Sequence, residues 1–172
     1  MDLHKLRSEI DSVDSKIVEM IVKRRELISQ VVEYKAMNHV PVSAPEREGQ
    51  IIDRVSKLAG SNFASSEVQL LYGILIDLNK LMEYQRVPKD IEVPTDIGGA
   101  SVRAVLKDTP GALSRYIAPL AVAEVSIANI RSQSMPGGNL LVDIELTGKT
   151  EDPQFKAALS VLSDTADKFT LM

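Results

Sequence analysis

The chain of 172 residues has no cysteine and no tryptophan, and its only histidines are His4 and His39. Without thiols, neither a disulfide framework nor a thiolate metal site can form. Two histidines far apart in sequence do not support zinc, so no metal is expected. No segment approaches ~18 consecutive apolar residues, and no basic start leads into an apolar run. A soluble, cytoplasmic protein without a membrane partner is therefore expected. Excess positive charge is also missing. The formal net charge is -4, whereas phosphate binding rests on lysine and arginine clustered in excess on one face, so nucleic acid is not expected as a partner. Glycine and proline do not occur before Pro41.

The composition, 44% hydrophobic and 26% charged, is that of an ordinary globular chain. Residues 3–38 place Leu3, Leu6, Ile10, Val13, Ile17, Met20, Leu27 and Val31 at spacings of three and four, the mark of a helix seam. Such a helix is roughly 54 Å long at ~1.5 Å per residue. That is too long to bury its stripe against the fifty or so residues that follow, so it calls for a second copy of itself. A second helix is announced by Ser43-x-x-Glu46, a capping-box pattern with Pro45 in the first turn, and Gly60 ends it. Ile51, Val55 and Leu58 are its expected inner face. A third opens near Ser65 or Ser66 and puts Val68, Leu71, Tyr72, Leu75 and Met82 on a buried stripe that also carries Asn79 and Glu83.

From Gln85 to Gly99 the periodicity lapses, with Pro88, Pro94 and Gly98-Gly99 as breakers. Residues 1–86 are read as a three-helix all-α module, 87–99 as a linker and 100–172 as an α+β module. In the last, strands are expected over Ala100–Lys107, Val125–Gln133, Leu140–Thr147 and Lys168–Leu171. Helices are expected over Ala112–Ala123 and Pro153–Asp164, with turns at 108–111 and 135–139. The order βαββαβ is a ferredoxin-like split-βαβ sandwich.

Polar residues interrupt the apolar stripes of the first module. Arg24, Ile28, Val31 and Lys35 share one helical face, and Arg24 to Lys35 spans roughly 16 Å of axis. Two long cations leaning toward each other across that span leave room for one compact dianion. Arg47, Glu48, Asn79 and Glu83 come from the later helices. Arg7 lies roughly 25 Å before Arg24 on the same helix, so only an antiparallel partner helix would bring it to the same ligand. An intertwined dimer with composite sites follows. Plainer readings stand beside these. Lys35 also complements a helix C-terminus, Arg47 and Glu48 also suit a solvated first turn, and residues 108–111 also suit a tight turn alone.

The run Leu6-Arg7-x-x-Ile10-Asp11, Val22-Lys23-Arg24-Arg25-Glu26-Leu27, Lys35, Pro41-Val42 and Arg47-Glu48 resembles the all-α chorismate mutases, in order and spacing, over residues 3 to about 86. The resemblance implies a Claisen rearrangement of chorismate to prephenate in aromatic amino-acid biosynthesis, a unimolecular step that needs no cofactor. It implies Arg24, Lys35 and Glu83 as catalytic, and Arg7, Arg24, Lys35, Arg47, Glu48, Asn79 and Glu83 as substrate-binding. Guanidinium groups grip the carboxylates, Lys35 meets the ether oxygen, and Glu48 accepts from the substrate hydroxyl. An ether oxygen only accepts, so Glu83 would have to act in its protonated form. Position 44, a carboxylate in some relatives, is Ala44 here, which removes one anchor for the hydroxyl.

Residues 105–113, Ala128-Asn129-Ile130 and the Leu140–Leu146 strand resemble an ACT domain, a small-molecule sensor. That resemblance implies an aromatic amino-acid effector held by Thr109, Gly111, Ala112, Leu113 and Asn129 at the interface of paired domains, and leaves open a dimer or a higher oligomer. Two other functions share these features. One is an isochorismate pyruvate lyase on the same fold. The other is a degenerate mutase serving as a ligand-sensing subunit.

Overall fold

The computed structural model describes residues 2–93 and 98–172; Pro94 of the expected linker lies outside them. The chain divides into two compact units, Met1–Val40 and Pro41–Met172. Among the described residues, no helix is long and apolar enough to cross a membrane.

The first unit is a single helix, α1 (Leu3–Asn38). The Asp2 side chain accepts the His4 N–H at 2.9 Å at its start, and His39, left-handed at φ 53°, donates its N–H to the Lys35 carbonyl at its end. Along its first five turns Leu3, Ile10, Val13, Ile17 and Met20 stay between 50% and 59% exposed. The least exposed face runs through Arg24, Ile28, Val32 and Lys35. Val31, expected in that line, is 43% exposed, whereas Val32 is 1% exposed. The face centres between Ile28 and Val32, which leaves Val31 on its outer side.

The second unit begins with α2 (Pro45–Ala59), a 3₁₀ turn (Gly60–Asn62) and α3 (Ser65–Arg86). The expected Ser43 capping box is not formed. Ala44 is the N-cap, without a side-chain bond, because Pro45 fixes the first helical position and leaves Ser43 one residue too early. Leu58 does not line the inner face and is 80% exposed. Ile51, Val55 and Ala59, spaced by four, are partly buried instead. At the start of α3, Glu67 reaches back to accept the Ala64 N–H at 2.7 Å.

The strands β1 (Gly99–Lys107), β2 (Ser126–Met135), β3 (Asn139–Thr147) and β4 (Lys168–Leu171) form one antiparallel sheet in the order β2-β3-β1-β4. With α4 (Ala112–Val122) and α5 (Pro153–Thr165), this is the ferredoxin-like βαββαβ order. Alternation dictates the faces. Ala100, Val102, Ala104 and Leu106 of β1 are buried, while Arg103 and Lys107 between them are exposed. The hairpin between β2 and β3 turns at Gly137 and Gly138, with φ of 81° and 67°, values that suit only glycine without strain.

Helix α3 lies against both α4 and α5, so it is covered on more than one side. Gly73, Ile76, Asp77, Lys80, Leu81, Glu83 and Tyr84 are all buried. The expected stripe differs at Leu71, which is 52% exposed, because the C-terminal module draws a different edge of the helix inward. The Tyr84 hydroxyl donates to Asp164 of α5, and Lys89 binds Asp164 and Ser163 at 3.0 and 2.9 Å. Burial first, and Asp164 second, raise the Tyr84 phenol well above its usual range, so it stays a neutral donor.

Candidate active site and its charged surroundings

In α1 the helical period brings Arg24 and Lys35 to the least exposed face, both partly covered, while Arg7 near the start is exposed. Their separation of eleven residues, roughly 16 Å of axis, keeps the two cations from competing for one carboxylate.

In the second unit the expected polar residues have separate surroundings. Arg47 is exposed, in the first turn of α2, and donates to Gln50 at 3.4 Å. Glu48, one residue on, is partly covered and pairs with Lys80 of α3 at 2.8 Å. Asn79 donates to the Leu75 carbonyl of its own helix at 2.7 Å, which leaves its amide oxygen for another partner. Glu83 is buried one turn further on. The structure thus brings Glu48 to α3, but through Lys80, which sequence reasoning did not single out. A lysine amid Leu78, Leu81 and Tyr84 is a signal in itself, since buried cations need a partner.

Sequence reasoning also missed Asp77 and Arg115. Asp77 is 1% exposed and faces Arg115 of α4 with Nε to Oδ2 at 3.6 Å. That is an ion pair, too long for a hydrogen bond, and neither carboxylate oxygen has a hydrogen-bond partner. Burial pushes the Asp77 carboxyl up to about 6, against the pull of Arg115 and Lys80, with Glu48 adding to the rise. Gly73 makes the approach feasible: a Cβ there would sit 2.6 Å from Arg115 Nε.

The expected effector residues fall into two places. Thr109, Gly111 and Ala112 line a cavity of about 380 Å³ walled by the β1–α4 turn, the first turns of α3 (Ser66, Gln69, Leu70) and Arg115 and Tyr116. Leu113 follows them at the start of α4, partly buried and packed against the core. Asn129 sits elsewhere, on β2, donating to Glu145 at 3.4 Å beside Arg103, Arg131 and Asp143. Within one chain, Asn129 and the β1–α4 turn do not share a cavity.

A helical module with cations and buried acids, followed by a ferredoxin-like module, defines a helical enzyme-type domain joined to an α+β partner. Residues 6–84 match the chorismate mutase type II family. The chorismate mutase of Methanocaldococcus jannaschii is 34% identical over 84 residues, 48% of this chain and 85% of that one. The chain belongs to the type II chorismate mutase family. The bifunctional chorismate mutase/prephenate dehydratase of Buchnera aphidicola (subsp. Schizaphis graminum) is 28% identical over 89 residues, 51% of this chain, yet this chain spans only 23% of its length. Among solved structures, the prephenate dehydratase of Arthrobacter aurescens in complex with L-Phe is 21% identical, covering 49% of this chain and 29% of that one, with a TM-score of 0.40.

Proposed function

We propose that the chain rearranges chorismate to prephenate as a cytoplasmic homodimer in aromatic amino-acid biosynthesis, with an ACT-like module that senses an aromatic amino acid. Family membership sets the reaction class. The observation that carries the reading is the placement of Arg24 and Lys35 on the least exposed face of α1, while the apolar stripe of its first half stays about half exposed. A 36-residue helix with that much uncovered hydrocarbon is suited to a second copy.

The rearrangement involves no covalent intermediate and no proton transfer. The protein has to clamp two carboxylates, hold the folded conformer and meet negative charge growing on the breaking ether oxygen. Arg24 and Arg7 of the partner subunit take the carboxylates, and Lys35 meets the ether oxygen together with Glu83, which donates there when protonated. Glu48 accepts from the substrate hydroxyl, with Arg47 contributing to the surrounding positive potential and Asn79 holding a carboxylate. The absence of a carboxylate at Ala44 weakens ground-state binding more than it slows the chemistry.

The test is ultraviolet disappearance of chorismate, with isochorismate in parallel. Wild-type protein consumes chorismate, and Arg24→Ala and Lys35→Ala each fall by roughly 100- to 1,000-fold, the usual effect of removing one preorganised charge-stabilising donor. Faster consumption of isochorismate would replace the mutase reading with that of a lyase, and no turnover of either would leave a sensing subunit.

A further inference from the structure

The pair formed by Lys80 and Glu48 is asymmetric. Lys80 on α3 has a side chain 7% exposed, that of Glu48 on α2 is 19% exposed, and the two meet at 2.8 Å through Nζ and Oε1. The lysine is therefore the inner member, and Glu48 is the one that a ligand reaches. Packing alone does not account for the lysine, because well-fitted apolar side chains hold two helices as firmly as a buried ion pair or more so. What an ammonium adds at this depth is charge.

The surroundings decide what that charge does. The Glu48 N–H donates to the Ala44 carbonyl at 3.0 Å, so the helical face that presents Glu48 carries a methyl group, not a second carboxylate, one turn earlier. On α3, Asp77 lies one turn before Lys80 and is faced by Arg115 at 3.6 Å, while Lys80 acts electrostatically on Asp77 as well. In their charged forms the four groups sum to zero, with one cation for each acid. A lone carboxylate attracts an ammonium far more strongly than a hydroxyl, since the first interaction is between full charges. A carboxylate already met by a cation through one oxygen still accepts from a hydroxyl through its remaining lone pairs. To an incoming ammonium, however, it offers an equal positive charge close behind.

We propose that Lys80 is the specificity-determining residue of this subsite: it positions the Glu48 carboxylate and offsets its charge, so that the substrate carbon facing Glu48 is accepted with a neutral hydroxyl and rejected with an amine carried as ammonium. Lys80 acts through Glu48, not by touching the substrate, and is a positioning residue. The discrimination is a difference of two affinities, one of them lowered by a repulsive element built into the site. The proposal rests on the mutase reading above, where Glu48 accepts from the chorismate hydroxyl, and it narrows the substrate class to the hydroxylated ring.

The experiment measures kcat and KM, on one preparation of the full chain at neutral pH, for chorismate and for the analogue in which an amino group replaces the ring hydroxyl. Both substrates are read on the same protein, so the ratio of their kcat/KM values does not depend on the fraction that is folded. Wild type favours the hydroxyl. Lys80→Gln keeps a donor for Glu48 and removes the charge, and its ratio moves toward the amine by roughly ten-fold or more, chiefly through a lower KM for the amine. Glu48→Gln, at the more exposed position, leaves the lysine charge without its counterpart and moves the ratio the other way. Lys80→Arg keeps the charge and the wild-type ratio. Opposite movements in the two glutamine variants, with rescue by arginine, are not produced by loss of packing. A wild type that favours the amine, a ratio unmoved in Lys80→Gln, or a shift in the same direction in both glutamine variants overturns the proposal, and turnover of chorismate in those cases leaves the mutase reading standing. A wild type that turns over neither compound overturns the mutase reading and this proposal with it.

Discussion

At the scale of single residues, the chemistry is concentrated in a few charges held out of water. Asp77 gives a pH prediction with a definite sign. Its carboxyl is raised from 3.8 to about 6 on folding, so the folded state binds this proton more tightly than the unfolded chain. The favourable contribution is complete below about pH 4 and is lost as the pH rises through about 6, a change of roughly 3 kcal/mol at 1.36 kcal/mol per pH unit. Urea titrations of wild type and Asp77→Asn across pH 4 to 7 read this directly. The stability of wild type relative to the variant falls over that window; a constant difference would mean that Asp77 keeps its charge when buried. Glu83 gives a kinetic counterpart on the proposed reading, in which the ether oxygen can only accept a hydrogen bond. Glu83→Gln, always a donor, retains turnover of chorismate; loss of turnover in that variant contradicts the proposed role.

At the scale of elements, α3 joins what the chain order keeps apart. It packs on α4 and α5 while Lys80 ties it to α2. Breaking a buried pair by removing one partner costs about 3–5 kcal/mol, and the partial exposure of Glu48 puts Lys80→Met at the low end. Chemical denaturation of that variant shows the loss, the double variant Lys80→Met/Glu48→Met recovers most of it, and neither regains full turnover of chorismate. Recovered turnover in the double variant would remove Glu48 from the site.

Much of this architecture was legible in the sequence. The apolar period expected over residues 3 to about 38 matches α1, and Pro153 and the 108–111 turn place the starts of α5 and α4 within one residue, because prolines and turn residues constrain the backbone locally. Burial was less legible. Leu58 and Leu71 have helical spacing suited to an inner face and are exposed; for Leu71 the reason is that the covered side of α3 depends on α4 and α5, far along the chain. Asp77 and Arg115, 38 positions apart, share no local pattern, and only the packing of α3 on α4 makes them a pair. The split of the expected effector residues has the same origin: Asn129 and Thr109 are near in sequence pattern, yet occupy different cavities.

At the scale of the whole molecule, α1 by itself poses the central question. Its apolar residues from Leu3 to Met20 are left about half exposed within one chain, an expanse suited to a helix of a second copy. Charged substitutions there should act on assembly first. If the proposed dimer forms through this stripe, Ile10→Asp and Ile17→Asp shift the protein from dimer to monomer in analytical ultracentrifugation and abolish turnover together; a monomer with undiminished turnover would mean that each chain forms its own complete site.

The most direct test mixes two inactive proteins. Arg7→Ala and Arg24→Ala each lack one of the cations that, on the proposed reading, different subunits contribute to a single site. Unfolded together and refolded, they pair at random, so half the dimers are mixed and each mixed dimer holds one intact site of two. Chorismate turnover should return to about one quarter of the wild-type level. Turnover that stays at the level of the separate variants would contradict a site built from both chains.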